Sequence, residues 1–331
     1  MLPQVRSFCG SPLVIKKHGD NMKTAIVTGA TGMIALALIR RLVQEGVRVY
    51  ALCKPGTADG IEILKAPLVK VIDADISEFL AAKDKIDSPC DVLYHFAWLG
   101  TFGGGRDDAY LQDNNIRYTI DCVTLAKETG CRLFVGAGSQ AEWGPTAEIL
   151  RADLPVNPQT GYGIAKFAAG KLSRLYADSL GMTHIWVRIL SVFGVGSIPN
   201  SIIPSSIDKF LKGEHAAFTK GEQIWDFLYC DDAALAFYLI GCKAKESKIY
   251  PLASGETRTL AQYITAMRDT AAPDAPLFIG ELPYPPGQVM RLQADLSELY
   301  ADTGFAPAVG FEEGIRRTAA WRRSVLGLPE A

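Results

Sequence analysis

The segment Tyr162-Gly163-Ile164-Ala165-Lys166 places a phenol and an ammonium one helical turn apart on one face of a predicted helix. A free phenol titrates at about 10, too high for ready proton exchange at neutral pH. A neighbouring cation favours the phenolate and brings that exchange within reach. Such a phenol can give a proton to, or take one from, the oxygen of a ketone or carbinol. Ser139, at the end of a predicted strand, supplies a hydroxyl that can hold the same oxygen. Tyr and Lys at this spacing are common in any sequence. The pair gains meaning only beside a group that moves the hydride.

A glycine-bearing loop far upstream provides the place for that group. Thr28-Gly29-Ala30-Thr31-Gly32-Met33-Ile34-Ala35 follows the first predicted strand and opens the first predicted helix. Glycines there allow a tight turn, so that backbone around Gly29, Thr31, Gly32, Met33 and Ile34 can approach a pyrophosphate at the helix N-terminus. The plainer alternative is a simple strand-to-helix turn. Ala35 stands where a third glycine is usual; that position serves close helix–sheet packing, which Ala still permits. The second strand ends in Tyr50-Ala51-Leu52-Cys53-Lys54-Pro55, without an acid to bond an adenosine 2′-hydroxyl. Lys54 is placed to meet a 2′-phosphate instead. This favours NADP as the nicotinamide cofactor, with NAD possible if Lys54 is only a solvated loop residue.

The elements that must position these groups are legible as an alternation. Ala25–Thr28, Val47–Leu52, Val69–Asp73, Val92–His95, Leu133–Val135 and His184–Leu190 read as short buried strands. Met33–Glu45, Asp108–Thr129 and Gly161–Leu180 read as helices stopped by Gly46, Gly130 and Gly181. Strands separated by helices predict an α/β fold, a doubly wound parallel Rossmann sheet over residues 23–193. After about Phe193 the chain becomes richer in Pro and Gly. Residues 194–331 are expected to form a smaller substrate lobe, partly interleaved with the sheet.

Composition narrows the setting. Of the 331 residues, 48% are hydrophobic and 21% charged, and the formal net charge is −2. These values suit an ordinary globular chain and give no bulk attraction to nucleic acid or anionic lipid. The seven Cys are dispersed without a CxxC pair, which fits a reducing cytoplasmic setting better than a disulfide framework. None of the four His is spaced with Cys or carboxylates as a metal site needs, so no metal is expected. No apolar run is long enough to span a bilayer. Residues 1–22 lack the order of a secretory signal and read as an extension, a leader or an over-long start. Three further features have plain readings. His95 is expected to be buried beside the cofactor. Asp231-Asp232 precede an apolar helix and read as its N-cap. Arg316, Arg317, Arg322 and Arg323 read as a solvated helix face.

Taken together the motifs resemble an extended short-chain dehydrogenase/reductase of the nucleotide-sugar epimerase/dehydratase family, over Lys23 to about Arg323. Thr28–Ala35 resembles TGxxGxxG. Asp75-Ile76 falls where the family contacts adenine, and His95-Phe96-Ala97, with Trp98 after it, resembles the segment lying along the cofactor. Asn114-Asn115 with Thr119 resembles NNxxxT, whose second Asn supports the active-site helix. Arg188–Gly194 resembles R-x-x-N-V-Y-G, which sets Leu190 beside the cofactor, and Asp226–Tyr229 resembles R-D-F-x-x-V. The resemblance implies that Ser139, Tyr162 and Lys166 are catalytic and that Asn115 supports them.

Departures from the pattern refine what it implies. The Asp-Glu pair of the family's dehydratases is Gln140-Ala141 here, which argues against elimination. Two arginines that grip the substrate pyrophosphate in the family are Trp225 and Pro285. Trp225 is readable as a stacking surface or as a packed apolar residue, and Arg291, Arg258, Lys209 or Lys212 as a substitute cation. Ser191 stands where relatives carry a substrate-binding Asn. The expected substrate residues are therefore Ser139, Gln140, Ser191, Trp225 and Arg291. The leading expectation is reduction of a keto group on a nucleotide-linked deoxy sugar, with Tyr162 giving the proton. A nucleotide-sugar 4-epimerase using the same residues is the alternative, and a non-catalytic dinucleotide sensor is a third reading. The resemblance also implies a homodimer.

Overall fold

A computed structural model describes residues 22–329 of the chain. Of the segment 1–22, read from the sequence as an extension, a leader or an over-long start, residues 1–21 lie outside the described residues. Met22 belongs to the fold: it is buried, and the Tyr94 hydroxyl donates to its Sδ at 3.6 Å.

The first half alternates as β1 (Thr24–Thr28), α1 (Met33–Gln44), β2 (Arg48–Cys53), β3 (Val69–Asp73), β4 (Val92–His95), α2 (Ala109–Glu128), β5 (Leu133–Ser139), α3 (Gly161–Ser179) and β6 (Thr183–Ile189). The second half follows as β7 (Ser191–Phe193), α4 (Ile202–Lys212), β8 (Ala217–Phe218), β9 (Ile224–Trp225), β10 (Phe227–Tyr229), α5 (Cys230–Lys243), β11 (Lys248–Leu252), β12 (Arg258–Thr259), α6 (Leu260–Ala271), β13 (Phe278–Ile279), α7 (Ser297–Thr303) and α8 (Phe311–Leu326).

Seven strands form one parallel sheet in the order β11-β6-β5-β4-β1-β2-β3. Its central strands are apolar on both faces because both faces are covered: Ala25, Ile26 and Val27 of β1 are fully buried. On one face α1 and α5 pack side by side, with Leu38, Ile39 and Leu42 of α1 in the core. On the other α2 packs against α3 over Ile26, Leu93 and Phe134. The helix stops act as expected. Gly46, Gly130 and Gly181 all take positive φ, which a side chain would resist.

The seventh strand, β11, comes from the second half and pairs with β6 at the sheet edge. Sequence pattern gives no strand there, since Lys-Ile-Tyr-Pro-Leu carries a proline and little periodicity. Pro251 is tolerated at an edge strand. Of the other second-half helices, α7 packs against α5 and β11, while α4, α6 and α8 pack on one another beside three two-stranded ribbons. A small cluster of Trp143, Leu150, Leu190, Ala253, Leu292 and Leu296 joins this part to the strand ends.

Two plain readings need correction. The N-cap of α5 is Tyr229, not an aspartate. Asp232 instead accepts the backbone N–H groups of Ala308 and Val309, both at 2.9 Å, tying α5 to the segment before α8. Among the C-terminal arginines, Arg322 is not on a solvated face. It is buried and makes a bidentate pair with Asp208 of α4, with Nε 2.6 Å from Oδ1.

Candidate active site

Ser139 is the last residue of β5. The strand runs four residues beyond the predicted Val135, because Gly136-Ala137-Gly138 does not look like a strand by composition. The glycines have a cause. Trp186 of β6 lies across β5 and beneath α3, and a Cβ at Gly136 or Gly138 would run into its ring; one at Gly170 would come within 2.8 Å. The indole Nε1 donates at 2.9 Å to Glu142 Oε1. The same oxygen accepts the Ser139 backbone N–H at 2.8 Å, and Arg188 Nε donates to Glu142 Oε2 at 2.8 Å. Glu142 and Arg188 are both buried, a desolvated ion pair satisfied largely by neighbouring donors. This platform fixes the turn that carries the Ser139 hydroxyl.

Helix α3 starts beside that turn. Thr160 caps it by accepting Gly163 N–H at 3.1 Å, and Asp107 accepts Gly161 N–H at 2.8 Å. Gly163 sits against the Ala141 carbonyl, 2.5 Å from where a Cβ would be. The glycine inside the Tyr-to-Lys spacing is therefore what lets α3 approach Ser139. Tyr162 is partly buried and Lys166 fully so. Lys166 Nζ donates to Ala137 O at 2.6 Å and lies 3.6 Å from the centroid of the Trp98 ring, but 5.8 Å from that of Tyr162. Desolvation lowers the Lys166 ammonium to about 7, with Glu142 opposing. Burial raises the Tyr162 phenol, while the Ser139 hydroxyl and the Arg106 guanidinium pull it back down. Arg106 lies 4.5 Å over the Tyr162 ring.

These groups open onto one cavity of about 510 Å³ whose far end is the glycine loop. Gly29, Thr31, Gly32, Met33, Ile34, Phe96, Trp98 and Leu190 line it with Ser139, Tyr162 and Lys166. Gly29 has φ +63°, and a Cβ there would meet Ala97 N at 2.7 Å. Ala97 thus packs behind the loop and does not line the cavity. Gly32 is the N-cap of α1, and the first intrahelical acceptor bond is Leu36 N–H to Gly32 O at 2.8 Å. The N–H groups of the first turn, Met33 to Ala35, have no helical acceptor and face the cavity end. An unhindered helix N-terminus, a loop with glycine at 29 and 32 and a long cavity ending at a phenol and an ammonium fit a nicotinamide dinucleotide.

Other expected site residues stand elsewhere. Lys54 is exposed at the end of β2 and, like Asp75 and Ile76, is not in the cavity wall. Asp75 caps the turn after β3 by accepting Ser77 N–H at 3.1 Å; the Ser77 bonds first, and Lys54 after them, hold its carboxyl below the usual range. Ile76 is buried in the core. Asn115 does not bond α3. Its side chain pairs with the Leu99 backbone, accepting N–H and donating to O, both at 2.9 Å, so it fixes the chain after β4. His95 is buried as expected, between Thr28 Oγ1 at 2.9 Å and Thr119 Oγ1 at 3.2 Å, and burial drives its imidazole down to about 3. Cys53 is fully buried.

Of the expected substrate residues, Ser139 alone lines the cavity; Ser191, Trp225 and Arg291 form a separate group in the second half and, like Gln140, are not in its wall. Trp225 Nε1 donates to Ser191 Oγ at 2.9 Å, and the neighbouring Ile224 bridges to Arg291. Arg291 reaches the Ala147 carbonyl at 3.4 Å. Gln140 is used by the turn itself, its carbonyl accepting Trp143 N–H at 3.2 Å. Trp98 and Arg106 complete the wall around Tyr162. Trp98 is legible only by its place after His95-Phe96-Ala97, and Arg106 carries no motif beyond the glycines before it.

The profile of the NAD dependent epimerase/dehydratase family matches residues 25–253. UDP-glucose 4-epimerase of Mycolicibacterium smegmatis is 26% identical over 320 residues, spanning 90% of this chain and 98% of that protein. The dTDP-6-deoxy-L-talose 4-dehydrogenase (NAD(+)) of Aggregatibacter actinomycetemcomitans is 28% identical over 245 residues, 71% of this chain and 86% of that protein. In fold, a UDP-N-acetylglucosamine 4-epimerase from Methanobrevibacter ruminantium M1 superposes with a TM-score of 0.82 at 24% identity, covering 92% of this chain and 100% of that one.

Proposed function

Because this chain belongs to the NAD dependent epimerase/dehydratase family, we propose that it is a nucleotide-sugar 4-epimerase working through Ser139, Tyr162 and Lys166. The observation that carries the reading is one cavity that joins those three side chains to the glycine loop at the head of α1. The nicotinamide, when bound, supplies the hydride acceptor and donor. Ser139 Oγ holds the oxygen of the reacting carbinol. Tyr162 takes its proton as the C–H hydride leaves, and returns it when the hydride comes back to the opposite face. Lys166 holds the cofactor ribose side of the cavity. Ser191, Trp225, Gln140 and Arg291 are assigned to the nucleotide and sugar, with Trp225 as a stacking surface and Arg291 as the cation.

Relatives named as 4-epimerases support this order of preference, which reverses the one drawn from sequence. Reduction of a 4-keto sugar is the second reading, supported by Lys54, whose charge suits NADPH, and by a relative named as a 4-dehydrogenase. Dehydration is disfavoured on structural grounds too. Besides Gln140 and Ala141, the turn holds only Glu142, and that carboxylate is engaged by Ser139 N–H, Trp186 and Arg188. Incubation with UDP-sugars and 4-keto nucleotide sugars, with product mass and configuration followed, separates the readings. Inversion at constant mass supports epimerisation; a gain of two hydrogens would replace it with reduction.

The assembly proposed is a homodimer through α2 and α3. Ile164, Leu172 and Leu175 of α3 are 54%, 46% and 68% exposed, and Tyr110 of α2 is 87% exposed. Apolar surface of that extent on two adjacent helices suits a second copy. Light scattering giving the mass of one chain would overturn this. A reducing cytoplasmic setting is supported by six unpaired cysteines among the described residues. No described helix is long and apolar enough to cross a membrane.

A further inference from the structure

The chain between β4 and α2 is held at several points. Gln112 Nε2 donates to the carbonyls of Gly100 at 3.0 Å and Gly105 at 2.7 Å, and its Oε1 accepts Trp98 Nε1 at 2.9 Å. Asn115 clamps Leu99, and Asp107 staples the other end to Gly161 N–H at the start of α3. Gly100 and Gly105 touch closely enough that neither admits a side chain, so the loop is folded back on itself. What this bracing presents is Arg106, with Nη1 on Thr101 O at 3.0 Å and its guanidinium 4.5 Å from the Tyr162 ring centroid. Trp98 meets the same phenol ring edge-to-face, at 6.0 Å and 82°.

We propose that Arg106 is a positioning residue for Tyr162, a fixed cation on the face of the phenol ring that orients it and stabilises its phenolate. The proposal rests on the reading that Tyr162 transfers a proton. Lys166 is poorly placed to do this alone, since its ammonium is directed to Ala137 O and the Trp98 face. Its charge is also weakened by burial, whereas a guanidinium does not titrate in the working range. A phenolate ring presents a more negative face than a phenol ring, so a cation over that face is bound more tightly after the proton leaves. The charged and polar groups around Tyr162 are Arg106 from the loop, Lys166 from α3, Glu142 from the turn and Ser139 from β5; of these, Glu142 opposes the phenolate and Arg106 and Ser139 favour it.

Fluorine NMR of the full chain labelled with 3-fluorotyrosine tests this. The Tyr162 signal is the one missing in Tyr162→Phe, and the other signals report whether each variant is folded. In Arg106→Gln the Tyr162 titration is expected to move up by about one pH unit, and in Arg106→Lys to stay near the parent value. Movement in Arg106→Gln alone supports a charge effect. An unmoved titration in folded Arg106→Gln, or equal movement in Arg106→Lys, overturns the proposal. Activity retained in Tyr162→Phe would instead sink the reading on which it rests.

Discussion

Glu142, at the end of the turn that follows Ser139, meets Arg188 in a buried ion pair, Nε to Oε2 at 2.8 Å, and also accepts the Ser139 N–H. Removing one partner strands the other charge in the core, a loss of roughly 3–5 kcal/mol in comparable pairs. Arg188→Met is therefore expected to lower stability in denaturant titration by that order. Turnover should fall further than stability explains, because Glu142 also fixes the Ser139 N–H. Wild-type stability in Arg188→Met would show that the pair carries no such weight.

Gly29→Ala tests the nucleotide loop. The position has φ +63° and no room for a Cβ against Ala97. The substitution forces strain of about 1–3 kcal/mol or moves the loop. Calorimetry should show dinucleotide affinity falling at least tenfold while helix content by circular dichroism is kept. Unchanged affinity would remove the loop from the cofactor site.

Much of this site is legible in the order of the residues alone. The loop Thr28–Ala35, the helix stops and the Tyr162–Lys166 spacing follow from local rules: turn chemistry, capping and helical period. The rest depends on contacts distant in sequence. The role of Glu142 requires Arg188 and Trp186 from another strand. The extension of β5 to Ser139 follows from Trp186 filling the space above its glycines. The bond of Asn115 to Leu99, and the placement of Arg106 over Tyr162, both come from a loop whose folding no periodicity encodes. Strand β11 escapes local rules because a short edge strand with a proline has almost no local signal.

The buried Lys166 predicts a pH dependence of stability. Its ammonium is lowered to about 7 from an ordinary 10.5. Between those values the unfolded chain holds the proton that the folded chain has lost, so folded stability rises with pH across that window. Below it the full penalty is present. Lys166→Met, free of the penalty, should be more stable than the parent at pH 6, by on the order of a few kcal/mol. The difference should shrink towards pH 10. A difference constant with pH, measured by urea unfolding, would contradict a buried titrating amine.

Lys54→Glu tests the cofactor preference. It should lower NADPH affinity by roughly tenfold, the scale of one lost charge-assisted phosphate contact, and leave or improve that for NADH. Equal affinities of the parent for NADPH and NADH, both unchanged in the variant, would remove Lys54 from the 2′-position.

The most direct test is turnover itself. The parent and Tyr162→Phe are incubated with NAD and a panel of UDP-sugars, and the products are resolved by mass and by configuration at C4. The parent is predicted to interconvert the C4 epimers of at least one sugar at constant mass, and Tyr162→Phe to be slower by about 10²–10⁴-fold with dinucleotide affinity retained. Epimerisation that survives in Tyr162→Phe, or a parent that changes only the mass of its substrate, would contradict the account.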